Sequence, residues 1–223
     1  MSTPAGREIE LKRLLLGPGA VERLVAALGG VLSGRRLQTN HVLDTEDRRL
    51  GRTRHALRLR EEAGGVVLTA KGPGREVGAS TGSRIEAEIE LDPRLVPDVF
   101  EGRLDPVALL RSRLGDAAYE ELWRGLEAAR GGRPLRVLGR FENDRRVVPV
   151  TLPSGLLLEV EIDRTRFPDG RVDEEVEIEL PDERLADEVE RWLERTLRAA
   201  GIASTPGTPK LARFHASLRE GSR

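Results

Sequence analysis

In five short segments of this chain a charged side chain stands at every second position. Glu8, Glu10 and Lys12 alternate with Ile9 and Leu11, and Arg58 and Arg60 with Leu57 and Leu59. Arg84, Glu86, Glu88 and Glu90 alternate with Ile85, Ala87, Ile89 and Leu91. Glu159, Glu161 and Asp163 alternate with Leu158, Val160 and Ile162, and Glu175, Glu177 and Glu179 with Val176, Ile178 and Leu180. A period of two is that of a β-strand, so each segment has one apolar and one ionic face. The ionic faces are sorted by sign. Carboxylates dominate some strands, whereas Arg58, Arg60, Lys71 and Arg145 supply cations on others. Carboxylates brought together repel one another unless a divalent cation sits among them, and an all-oxygen ligand set favours Mg²⁺ or Mn²⁺ over zinc or copper. Facing cations would hold a polyanion, Arg as a planar fork on phosphate oxygens and Lys as a point charge. The chemistry this combination supports is metal-assisted phosphoryl transfer.

Such faces must be turned toward one another to act. A sheet with its polar side in water is the ordinary fate of an alternating strand. Solvated faces, however, usually mix Thr, Ser, Lys and Gln and intersperse charges of both signs. The segments above, with Gln38–Asp44, Val66–Lys71 and the stretch from Leu135 to Val150, make about eight strands, enough to close a sheet. We therefore expect an α+β fold, a closed eight-stranded antiparallel β-barrel, or tunnel, with a charged interior and helices around its apolar outside. Helical spacing marks Pro18–Leu28, Asp105–Arg130 ending at Gly131-Gly132, and a segment opened by Pro181 with Leu185, Val189, Trp192, Leu193 and Leu197 on one stripe. No linker divides the chain, so one domain over 1–223 is expected, with a helical insert at about 95–132 and a C-terminal helix at about 182–200.

Composition narrows the function further. The 37 basic residues against 38 acidic ones leave a net charge of −1, unlike a chain that coats nucleic acid. Only 7 aromatic residues are present, too few for a base-stacking platform. Without cysteine there is no thiol nucleophile, disulfide or thiolate-held zinc. The longest uncharged stretch, Val147–Leu158, has 12 residues and cannot span a bilayer. Charge arrives early in the opening segment, unlike a secretory leader, so a soluble, cytoplasmic protein is expected. His41, His55 and His215 lack the spacing of a metal set, and Ser154, Ser204 and Ser217 lack a triad context. Trp123 and Trp192 fall on apolar stripes and read as core; Glu174 and Glu179 read as solvent-facing and salt-bridged. Of the 37 basic residues all but Lys12, Lys71 and Lys210 are Arg, which marks these three as positions where a compact charge is kept.

In order along the chain, these segments resemble the CYTH superfamily, or triphosphate tunnel metalloenzymes. Glu8-Ile9-Glu10-Leu11-Lys12 resembles its ExExK signature, Asn40–Asp44 its second strand, Leu57-Arg58-Leu59-Arg60 its LRxR strand and Thr69-Ala70-Lys71 its lysine strand. Arg84–Glu88 resembles the fifth strand, and Gly139–Arg145 is similar to a G-x-F-x-N-x-R stretch. Glu161–Thr165 and Glu175-Val176-Glu177 resemble the last acidic strands, and Thr208-Pro209-Lys210 the C-terminal lysine motif. All three lysines fall on motif positions. The resemblance implies that Glu8, Glu10, Glu161, Glu175 and Glu177 bind Mg²⁺ or Mn²⁺. It likewise assigns Lys12, Arg58, Arg60, Lys71, Arg145 and Lys210 to a triphosphate. Glu8, Glu10, Lys12 and Glu88 form the implied catalytic set, with Glu86 and Glu88 orienting water or holding a second metal. Two departures stand out: Asp173-Glu174 replaces a common aromatic, and Pro209 precedes Lys210, which leaves the pose of that lysine open. The implied activity is hydrolysis of inorganic tripolyphosphate to diphosphate and phosphate by a monomer or homodimer. Thiamine triphosphatase, adenylate cyclase or a non-catalytic polyphosphate- or nucleotide-binding role are the alternatives. No nucleic acid or membrane partner is expected.

Overall fold

The computed structural model describes residues 6–220. The charged opening segment and the extreme ends of the expected 1–223 unit therefore lie outside the described residues in part. Ten strands form one sheet: β1 (Arg7–Leu16), β2 (Gly34–Asp44), β3 (Ala56–Glu62), β4 (Gly65–Lys71), β5 (Arg75–Glu76), β6 (Thr81–Leu91), β7 (Arg136–Thr151), β8 (Leu157–Arg166), β9 (Val172–Glu179) and β10 (Ala203–Pro206). Eight of them run in the order β1-β9-β8-β7-β2-β3-β4-β6 and close by pairing of β6 with β1. Every pairing is antiparallel. β1 makes the closure because its two edges are used at different heights. Arg7–Leu11 pairs with β6, Glu10–Leu15 pairs with β9, and β10 takes over beside Arg13–Leu16.

The expected barrel with an ionic interior is what forms. The apolar faces point outward and two helical groups bury them. Ile9, Leu11, Val160, Ile162, Val176 and Ile178 pack under α1 (Ala20–Ala27) and α6 (Ala186–Ala199), which contribute Val21, Leu24, Val189, Leu193 and Leu197. Leu57, Leu59, Leu68 and Ala87 pack under α2 (Arg49–Arg52), α3 (Val96–Phe100), α4 (Pro106–Leu114) and α5 (Glu120–Arg130), through Leu50, Val99, Leu110, Trp123 and Leu126. Each fully buried leucine contributes roughly 1.5–3 kcal/mol, enough to hold the barrel wall against its charged lumen.

The 105–130 stretch is two helices, because Gly115 adopts φ 75° and ends α4. Asp105 caps α4 by accepting from the backbone N–H groups of Val107 and Ala108, with Pro106 at the first helical position. Trp123 is buried and donates its indole N–H to the carbonyl of Gly115, whereas Trp192 is only partly buried against the core. A last helix, α7 (Lys210–Glu220), was not expected. Its Phe214 joins Val42, Phe141 and Phe167 in a third apolar cluster, drawn from β2, β7 and the turn after β8. Among the described residues no helix is long and apolar enough to cross a membrane.

Candidate functional site

The inward faces surround a cavity of about 490 Å³. β1 supplies Glu8, Glu10 and Lys12; β3 Arg58 and Arg60; β4 Lys71; β6 Arg84, Glu86 and Glu88. β7 adds Arg145, β8 Glu161, β9 Glu177 and Glu179, and the first residue of α7 is Lys210. Among the residues singled out from sequence only Glu175 does not line the cavity. It is fully buried on the same face of β9 as Glu177, against Lys210 and Arg213. The proline before Lys210 does not turn it away: its Nζ stands 2.8 Å from Asp163 Oδ2 and 2.7 Å from Glu177 Oε1. The three histidines lie elsewhere: His41 against Glu61, His55 against Thr53 and His215 near Asp44. Glu174 is salt-bridged to Arg164. Glu179, expected to be salt-bridged in solvent, is exposed but lines the cavity and has no ion pair among the described residues.

Two charge environments share this space. In the first, carboxylates are already compensated. Lys71 Nζ lies 2.9 Å from Glu8 Oε1 and 3.0 Å from Glu86 Oε2, and Arg84 Nε lies 2.7 Å from Glu8 Oε2. Burial opposes ionisation of Glu8, but Lys71 and Arg84 outweigh it and hold its carboxyl well below the usual range. Arg145 grips Asp163 with both prongs at 2.9 and 2.7 Å, reaches Glu177 Oε2 at 2.7 Å and touches Glu161. Burial again opposes the charge on Glu177, and Lys12, Lys210 and Arg145 overcome it.

In the second environment the compensation falls short. Burial, and then the neighbouring Glu177, push Glu10 above its ordinary value despite Lys12 at 3.1 Å. Glu161 is pushed up to about 7 by burial, with Glu177 and Asp163 adding to it. Burial and the carboxylate of Glu8 likewise raise Glu179. On the facing wall the shortage is reversed. Among the described residues Arg58 has no carboxylate within ion-pair distance, and burial followed by the adjacent Arg60 lowers its pKa. Arg60 is no closer than 3.7 Å to Glu88 and 3.8 Å to Glu62. One wall is short of cations and the other is short of anions.

Sequence reasoning passed over two members of this site. Asp163 shares a strand face with Glu161, and Arg84 with Glu86, so the period of two could have found both. Asp163, Glu175 and Glu177 bring carboxylate oxygens within 4.8 Å of one another, a grouping able to hold a metal ion. The donor set is all oxygen, and the raised carboxyls of Glu10 and Glu161 border the same Glu177, so these residues fit a hard divalent cation.

The family model described as the CYTH domain matches residues 6–212. The chain belongs to the CYTH domain family. Among solved structures, this CYTH domain is similar to a Hippeastrum protein named as an adenylyl cyclase and described as having a dominant triphosphatase activity. That match has 27% identity and a TM-score of 0.73, and covers 94% of this chain and 95% of the other. A Bacillus halodurans protein named as an adenylate cyclase has 22% identity and a TM-score of 0.67, covering 94% and 98%. A Pyrococcus horikoshii protein, PH1819, has 19% identity and a TM-score of 0.56, covering 97% and 99%. These last two share the fold. No curated protein matches the sequence.

Proposed function

We propose that this CYTH protein hydrolyses the terminal phosphoanhydride bond of a triphosphate, inorganic tripolyphosphate first among candidates, with Mg²⁺ or Mn²⁺. The observation that carries the reading is the opposition of an acid wall short of cations and a guanidinium wall short of anions within one cavity. The triphosphatase activity described for the Hippeastrum protein supports it. Arg58 and Arg60 grip phosphate oxygens in pairs, while Lys12, Lys71, Arg145 and Lys210 place positive charge where the leaving diphosphate develops its own. Water attacks the terminal phosphorus, oriented by Glu88, whose Oε2 accepts from Thr69 Oγ1 at 2.9 Å. Glu8, Glu10, Glu161, Glu175 and Glu177 would hold a divalent cation, which would supply charge neutralisation on the phosphate oxygens.

Of the aromatic residues, Tyr119 and Phe141 alone line the cavity among the described residues, and Phe141 is taken up by the apolar cluster around Phe214. Little therefore remains to stack on a base or a thiamine ring, which supports the inorganic substrate. We further place the protein in the cytoplasm as one unit, a monomer or homodimer that handles a small triphosphate rather than nucleic acid. The test is phosphate release from tripolyphosphate, thiamine triphosphate and ATP with Mg²⁺ or Mn²⁺ at matched ionic strength. Tripolyphosphate turnover above the others is expected. Binding without release of phosphate would make the protein a polyphosphate-binding module, and cyclic nucleotide from ATP would make it a cyclase.

A further inference from the structure

β2 turns four side chains toward the cavity: Arg36, Gln38, Asn40 and Val42. Its two amides are treated differently. Gln38 donates to Glu62 Oε2 at 2.8 Å and accepts from Asn143 Nδ2 at 3.0 Å. Asn143 in turn accepts from Thr165 Oγ1 at 2.8 Å, so that row is closed. Asn40 is 1% exposed, yet its Oδ1 is shielded and has no hydrogen-bond partner among the described residues. A buried amide left unpaired is costly, and native folds rarely keep one without a use.

Its surroundings supply the use. Asn40 is the register partner of Arg60 on β3, whose Nε is also shielded and has no hydrogen-bond partner among the described residues, Glu62 Oε2 standing 3.8 Å away. Arg58, the next inward residue of β3, has no carboxylate within ion-pair distance among the described residues, Glu86 and Glu88 acting on it only from farther away. Three polar groups without a close hydrogen-bonded partner, on two paired strands, thus face one lumen. The two ends of an amide are interchangeable by a turn about its last torsion. Turned one way, Asn40 accepts from Arg60 Nε–H through Oδ1 and presents its NH₂ to a phosphate oxygen already held by the two forks. That single arrangement, formed with the phosphate bound, would satisfy all three groups.

We infer that Asn40 is a further substrate-contacting residue, which donates its amide NH₂ to a phosphoryl oxygen and fixes the Arg60 fork through its carbonyl oxygen. The inference rests on the triphosphate reading of the cavity. Calorimetric titration with tripolyphosphate, with and without Mg²⁺, tests it on the wild type, Asn40→Ala, Asn40→Asp and, as a control, Arg58→Ala. Asn40→Ala is expected to weaken binding about tenfold, the loss of one charge-assisted hydrogen bond. Its unliganded melting temperature should not fall, because the amide has no bond there to lose. Asn40→Asp should raise the unliganded melting temperature by pairing with the two guanidinium groups, and should weaken binding more than Asn40→Ala does. Unchanged binding by Asn40→Ala, with Arg58→Ala impaired, would overturn the assignment alone. So would an unliganded Asn40→Asp protein that melts below the wild type. Failure of the wild type to bind tripolyphosphate under either condition would overturn the triphosphate reading itself.

Discussion

Asp163 is fully buried, holds Lys210 at 2.8 Å and is clamped by both prongs of Arg145. Removing one partner of a buried ionic network leaves the others unpaired at low dielectric. Asp163→Ala is therefore expected to lower the unfolding free energy by about 3–5 kcal/mol, read from urea melts. Arg58 lies on the other side of the same reasoning. It has no partner to strand, so Arg58→Met should leave the unliganded protein as stable as the wild type or more so, while tripolyphosphate binding is lost. A drop in its melting temperature as large as that of Asp163→Ala would show that Arg58 is structurally paired. Glu161 makes a pH-dependent contribution. Its carboxyl stands at about 7 in the fold against an ordinary value of 4.5, with Arg145, Lys210, Glu177 and Asp163 facing it. A raised carboxyl favours the fold in its protonated form, so this contribution is complete below pH about 4.5 and is lost as pH rises through about 7. The chelator-treated protein should lose stability across that window, and Glu161→Gln should flatten the slope. The same slope in both proteins would assign the titration to another group.

Among the elements, α7 joins wall and interior. It opens with Lys210 among the carboxylates and carries Phe214, fully buried, into the cluster with Val42, Phe141 and Phe167. Phe214→Ala is expected to cost about 3–5 kcal/mol, measured by denaturant unfolding, and to loosen Lys210 with it. A variant with unchanged stability would mean that the cluster closes around the gap. The strands were legible in the sequence because a period of two is written locally: Ile9 and Leu11 must leave the face that Glu8, Glu10 and Lys12 share. α7 was not, since the surface that receives it is assembled from strands far apart in the chain, Val42 on β2 and Phe141 on β7. The break at Gly115 was hidden for a different reason. Leu110, Leu114, Leu122 and Leu126 keep helical spacing on both sides of it, and a glycine inside such a pattern signals a stop only when its φ is known. The site was legible in its side-chain types and unreadable in its pairing. Nothing local tells that Glu8 is neutralised by Lys71 and Arg84 while Glu10 is left with too little cation, because barrel register decides which charges meet.

At the scale of the whole molecule, the near-neutral net charge conceals the separation of charge across one lumen. A divalent cation and a polyanion bound together would each reduce the repulsion that the other's wall contains. Their effects on stability should accordingly be coupled. Ligands that bind only the folded state stabilise it by RT ln(1 + [L]/Kd), about 2.7 kcal/mol at a hundredfold excess over Kd. Mg²⁺ alone and tripolyphosphate alone should each raise the melting temperature modestly. With a turnover-deficient variant such as Glu10→Gln excluded, because it removes a ligand, the measurement belongs on wild-type protein scanned immediately after mixing. Both ligands together should raise the melting temperature by more than the sum of the separate shifts. Salt acts mainly on exposed charges, which are screened within about 8–10 Å at 0.1–0.15 M, so much of the coupled shift should survive at that ionic strength. Strictly additive shifts would mean that cation and polyanion occupy sites that do not sense each other, and would overturn the proposal that they share the cavity of about 490 Å³.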